Sequence, residues 1–146
     1  MSTLTTTILI VDDERAFVDA VSKRLKKRGF EMLAAYSGDE ALTVLTEHDK
    51  VDVVILDVKM PGMDGIETLK EIKRQYPLVE VVMLTGHGTV ESAIEGMKLG
   101  AYDFLLKPSD IEDLAAKVEA AKAKKAEHED KILEAESMDI VLRKGV

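Results

Sequence analysis

The sequence predicts an α/β fold of the doubly wound kind, a five-stranded parallel sheet flanked by five helices. Three observations predict it. Apolar, β-rich runs recur five times, at 8–11, 31–35, 53–56, 79–84 and 103–106. Each is followed by a stretch whose apolar residues return at helical spacing. The third run, Val-Val-Ile-Leu, is apolar without alternation, as in a strand whose two faces are both covered. Strands that alternate with helices imply parallel pairing and right-handed crossovers, which put helices on both sides of the sheet.

The elements follow in order. The first run, ILIV, is read as the central strand. After it, Phe17, Ala20, Val21 and Leu25 share one helical face, and Gly29 supplies the stop. After the second run, Ser37 caps a short helix that buries Ala41, Leu42 and Leu45. The loop VKMPGMDG leads from the third run into a helix with the stripe Ile66, Leu69 and Ile72, ended by Tyr76 and Pro77. After the fourth run, Val90, Ile94 and Met97 form a buried stripe and Gly100 closes it. Ser109-Asp110-Ile111-Glu112 reads as a capping box that opens the last helix.

Composition narrows the function. The chain has 146 residues, enough for one domain with a real core, and no cysteine, which excludes thiol chemistry and Cys-ligated metals. A formal net charge of −8 argues against direct nucleic-acid binding, which needs a positive footprint to displace counterions. The N-terminus MSTLTTT lacks the pattern of a secretory signal, and the apolar runs are too short to span a bilayer, so a cytoplasmic protein is expected.

In a parallel sheet of this kind the ligand crevice lies outside the carboxyl ends of the strands. The residues there are Asp12 and Asp13 after the first run, Asp57 after the third, Thr85 after the fourth and Lys107 after the fifth. Two adjacent carboxylates at the end of an apolar strand repel each other unless a cation, donors or water relieve them. A third carboxylate nearby completes the ligand set of a hard divalent cation such as Mg²⁺. Taken singly, Asp57 could end its strand in an Asx turn and Thr85 could be a plain β-former; their joint placement is what points to chemistry. GHGTVE, by contrast, lacks the third glycine of a dinucleotide loop and follows the wrong strand.

IVDDE, VVILDVKMPGMDG, MLTGHG and YDFLLKP, in this order on these strand ends, resemble the receiver domain of two-component response regulators, of the single-domain chemotaxis-regulator type. The resemblance covers residues 7–120. It implies a flavodoxin-like sheet of order 2-1-3-4-5 and a signalling domain that assists its own phosphorylation and dephosphorylation. It assigns to Asp57 the acceptance of a phosphoryl group from a histidine kinase or histidine phosphotransfer protein. Asp12, Asp13, Asp57 and the backbone carbonyl of Lys59 would hold Mg²⁺, Thr85 would bond the phosphoryl group, and Lys107 would pair with it. Thr85 and Phe104 correspond to the switch pair, although Phe104 reads equally well as plain core. Lys59 and His87 would flank the site, where they could tune hydrolysis, although both read equally well as solvated loop residues, and Lys107-Pro108 matches a position where a cis bond is usual. Arg15 and Ala16 lie on the edge where the kinase would dock, and a downstream protein would bind helix 4, strand 5 and helix 5.

Residues 1–120 are thus read as the receiver and 121–146 as a helical tail without a recognisable output domain. Asp113 with Lys117 and Glu127 with Lys131 suit a solvated helix. A heptad through Ile111, Leu114, Val118, Ala121, Ile132 and Ala135 is broken by Lys125 and His128, so a homodimer through the tail is the second reading of this segment. Beside the receiver stand a Mg²⁺-dependent phosphatase with an Asp nucleophile and a fragment of a larger regulator that has lost its output domain.

Overall fold

The computed structural model describes residues 5–58, 64–86, 90–107 and 109–144. Its elements are β1 (Thr7–Val11), α1 (Arg15–Lys27), β2 (Glu31–Ala35), α2 (Gly38–Glu47), β3 (Val53–Leu56), α3 (Gly65–Gln75), β4 (Glu80–Thr85), α4 (Val90–Lys98), β5 (Asp103–Leu106) and α5 (Ile111–Lys144). The strands form one parallel sheet of order β2-β1-β3-β4-β5. The fold class expected from the sequence is the one found. One detail changes: β3 is the central strand, and β1 lies between β2 and β3.

Strand periodicity divides the core into two layers, because neighbouring side chains leave opposite faces. Leu9, Val11, Val54, Leu56, Val81 and Met83 pack with Ala41, Leu45, Leu69 and Ile72, under α2 and α3. Ile8, Ile10, Val53, Ile55, Val82 and Leu84 pack with Val18 and Leu25 of α1 and with Leu114, Val118 and Ala121 of α5. With helices on both sides, β3 is buried along its whole length, which is why its sequence shows no alternation.

Helix phases differ from the sequence expectation in two places. In α1, Val18 and Leu25 are buried, Phe17 and Val21 are half-buried, and Ala20 is exposed. In α4, Ile94 and Met97 are 50% and 43% exposed, so they are not a buried stripe. The helix instead approaches the sheet through Gly96, where a Cβ would meet Met83 Cε at 2.1 Å. At 100° per residue, Ile94 then points nearly opposite to Gly96, and Leu99 returns to the core.

Helix starts follow local chemistry. Ser37 caps α2 by accepting from the Glu40 amide at 3.1 Å, as expected. Asp64 caps α3 by accepting from the Glu67 amide at 2.8 Å. At α5 the expected capping box from Ser109 does not form. Asp110 accepts from the Glu112 amide at 3.0 Å, and its carbonyl receives the Leu114 amide. A carboxylate directly before the first turn reaches those amides more readily than a hydroxyl one residue further out.

At the amino ends of the strands two acids tie α5 to the sheet. Asp52 accepts from the Thr7 amide at 3.0 Å and pairs with Lys125 at 3.2 Å and Lys122 at 3.9 Å. The Glu80 side chain, 3% exposed, lies 3.4 Å from Lys73 and 3.8 Å from Lys124. Lys125, which breaks the heptad in the sequence, therefore has its partner in the domain. Of the two expected i,i+4 pairs, Glu127–Lys131 forms at 3.2 Å, while Lys117 pairs with Asp103 on β5. Beyond Lys125 the helix continues unbroken to Lys144 with Ile132, Leu133 and Met138 exposed. None of the described helices is long and apolar enough to cross a membrane.

Candidate functional site

The carboxyl ends of β1 and β3 are neighbours in the sheet, so the residues just beyond them are brought together by register alone. Val11 pairs with Leu56, and the Asp57 amide donates to the Val11 carbonyl at 3.0 Å. The Asp12 amide in turn donates to the Ala35 carbonyl at 3.2 Å. Asp12, Asp13 and Asp57 consequently present carboxylate oxygens that all lie within 4.8 Å of one another. Asp12 and Asp57 are buried, and Asp13 is exposed at the rim.

Burying carboxylates this close costs energy unless positive charge or donors answer them. Both oxygens of Asp12 are answered. Oδ1 accepts from the Glu14 amide at 2.9 Å, an Asx turn that leads the chain into α1. Oδ2 accepts from Lys107 Nζ at 2.5 Å. The Lys107 ammonium also donates to Glu14 Oε1 at 3.3 Å and lies 4.1 Å from the centre of the Phe17 ring. Burial pushes the Lys107 ammonium down, but the bond and charge of Asp12, the charge of Asp57 and the bond to Glu14 outweigh it. The pKa rises above its ordinary 10.5, so the lysine stays charged.

Three hard oxygen donors converging from two strand ends suit Mg²⁺ chemically, since that ion takes a few carboxylates and keeps exchangeable waters. Thr85 closes β4 opposite Leu106 and so stands at the same edge of the sheet. Gly86 follows it; a Cβ there would lie 3.6 Å from Lys107 Cβ, so the space it leaves open adjoins the lysine stem. Phe104 on β5 is half-buried against the α2–α3 layer and borders an apolar groove of about 440 Å³ with Ile94 and Met97. Arg15 stacks over Tyr36 at 3.9 Å, and Ala16 is exposed. Lys59, His87 and Pro108 lie outside the described residues. Glu14 holds the N-cap position of α1, without a side-chain cap bond.

Two residues of this site escape a reading of the sequence. Glu14 is visible there only as the third acid of IVDDE, and nothing in local spacing ties it to a lysine 93 residues away. Phe17 has the spacing of a core residue, whereas its ring receives the Lys107 ammonium.

Residues 8–119 match the response regulator receiver domain family. The chain belongs to that family. It is 41% identical over 116 residues to the transcriptional regulatory protein ZraR of Escherichia coli K12, covering 80% of this chain and 26% of that protein. A receiver domain from Clostridium thermocellum superposes with a TM-score of 0.79 at 39% identity, covering 83% of this chain and 97% of the other. The receiver domain of NtrX from Brucella abortus gives 0.75 at 38% identity, covering 80% and 98%. The chain spans about a quarter of the length of the curated relatives it matches. As a receiver domain of a two-component system it is a signalling domain, in a family that is typically phosphorylated on Asp and typically binds Mg²⁺ at its acidic pocket.

Proposed function

We propose that this domain accepts a phosphoryl group on Asp57, from a histidine kinase or a histidine phosphotransfer protein, and passes the resulting change to a protein partner. The observation that carries the reading is the convergence of Asp12, Asp13 and Asp57 within 4.8 Å, with Lys107 already seated on Asp12. Asp57, ionised, needs no general base: its carboxylate attacks phosphorus and the histidine nitrogen leaves. The difficulty is charge, since an anion must approach a group that already carries negative oxygens. Lys107 is placed to offset it, and Thr85, which closes β4 at the same edge of the sheet, would bond the same group. Asp12, Asp13, Asp57 and the Lys59 carbonyl would hold Mg²⁺, which when bound lowers the charge gathering on the phosphoryl oxygens.

The groove bordered by Phe104, Ile94 and Met97, together with Leu106 at 54% exposure, supports the α4–β5–α5 face as the output surface. It also favours a switching role for Phe104, which is not sealed in the core. The exposed Arg15 and Ala16 support the start of α1 as the kinase-docking edge. We place the receiver at 1–120 and the tail at 121–146, a boundary supported by the family match ending at 119. Incubation with acetyl phosphate and Mg²⁺ should add one phosphate to the intact mass and none to Asp57→Asn. Steady release of phosphate from phosphoesters that Asp57→Asn leaves unchanged would favour a phosphatase and defeat the proposal.

A further inference from the structure

We propose that Glu14 is a positioning residue for the phosphorylation of Asp57: it holds the Lys107 ammonium at rest and must yield it when a phosphoryl group arrives. The inference rests on Asp57 being the phosphoacceptor.

An ammonium has three donors, and here one goes to Asp12 at 2.5 Å and one to Glu14 at 3.3 Å, while the Phe17 ring covers another side at 4.1 Å. The Lys107 side chain is 14% exposed and Asp12 2%, whereas Glu14 is 64% exposed. Asp12 is fixed, because its other oxygen holds the Glu14 amide. Of the two acids, Glu14 therefore has the longer contact and the freer side chain, and it is the one that gives way. A phosphoryl group on Asp57 competes with Glu14 for the same charge. Glu14 thus lowers the affinity of the site for phosphate, and with it the fraction of time the domain spends switched on. Its side chain makes no cap bond to α1, so replacing it leaves the start of that helix intact.

The test is a titration of the full chain with beryllofluoride at saturating Mg²⁺, followed by amide NMR, for the parent, Glu14→Gln, Lys107→Met and the double variant. Exposed ion pairs are worth a few-fold in an equilibrium constant. Glu14→Gln should therefore reach half-saturation at about threefold lower beryllofluoride than the parent. Because Glu14 acts through Lys107, the same substitution should change nothing in the Lys107→Met background. Equal or weaker binding by Glu14→Gln overturns the inference and leaves Asp57 as acceptor. A threefold gain that persists without Lys107 also overturns it, in favour of simple through-space repulsion. A parent that neither binds beryllofluoride nor gains mass with acetyl phosphate defeats the phosphoacceptor reading itself.

Discussion

Gly65 opens α3 directly behind the end of β3, and the contact there is between backbones. A Cβ at this position would lie 2.2 Å from the Asp57 carbonyl oxygen, 2.5 Å from Val58 Cα and 2.7 Å from the Val58 carbonyl oxygen. None of these is a side-chain end that could swing aside. Restoring a tolerable separation of 3.0–3.4 Å requires the start of α3 and the end of β3 to part by about 1 Å. The Gly65 amide bonds the Val58 carbonyl at 2.8 Å, and that retreat breaks the bond, at about 1 kcal/mol. Overpacking adds about 1–3 kcal/mol, and the better helix propensity of alanine returns up to about 1. Gly65→Ala should therefore lose about 2–3 kcal/mol, a fall in Tm of roughly 4–10 °C for a chain of this size.

The same movement carries Asp57 with it, and about 1 Å of misplacement costs on the order of 100-fold in a positioned reaction. Urea denaturation followed by far-UV circular dichroism, with the rate of acetyl phosphate labelling proposed for Asp57, measures both. Gly86→Ala is the control, because its Cβ would meet Lys107 at an ordinary 3.6–3.7 Å. If Gly65→Ala proves as stable as Gly86→Ala and is labelled as fast as the parent, the backbone contact does not set the position of Asp57.

Three further outcomes are expected. Glu80→Gln leaves Lys73 and Lys124 without their buried counter-charge; because both lysines are partly exposed, the loss is about 2 kcal/mol, and a change below about 0.5 kcal/mol in urea would refute the clamp. Burial pushes the Asp103 carboxyl up, but the bonds from Lys117 and the Phe104 amide and the charge of Lys117 outweigh it and hold it below the ordinary 3.8. A depressed carboxylate stabilises the fold above its unfolded pKa and loses that contribution as pH falls through the folded one. The parent should therefore exceed Asp103→Asn by under about 1 kcal/mol at pH 7, and the gap should close as pH falls below the ordinary 3.8 and through the depressed folded value; a gap independent of pH counts against the pair. Ile94→Lys and Met97→Lys should each shift stability by no more than about 0.5 kcal/mol, while Leu69→Ala costs about 2–5; a large loss at Ile94 would return that residue to the core.

The strands are legible in the sequence because a run such as Val53 to Leu56 states its own environment: apolar on both faces, it has to lie between two helical layers. The site is legible because residues that follow parallel strands share one edge whatever the intervening loops do, so Asp12, Asp57, Thr85 and Lys107 group together before the packing of the helices is known. Helix phase is not legible in α4. Its bulky apolar residues, Ile94 and Met97, suggest one buried face, but a helix that packs closest through a glycine buries its small-residue side instead. The cap of α5 is hidden for a related reason, since Ser109 and Asp110 both satisfy a capping pattern and only the backbone decides which one reaches Glu112.

Lys107 and Lys125 show why charged positions carry more structural information than their residue types suggest. In sequence both belong to the large solvated majority of lysines. In the fold each answers a fixed acid at opposite ends of the sheet: Lys107 meets Asp12 at the carboxyl ends, and Lys125 meets Asp52 at the amino ends. The first arrangement is poised for exchange, because one of its two acid contacts is long and exposed. The second is shared among Lys122, Lys125 and the Thr7 amide, so that loss of any one bond leaves Asp52 held. A change at Asp57 can therefore rearrange the ion pairs around Lys107 while α5 stays anchored at its other end. On the proposed reading, the domain would keep a rigid frame against which a partner reads a local change at β5 and α4.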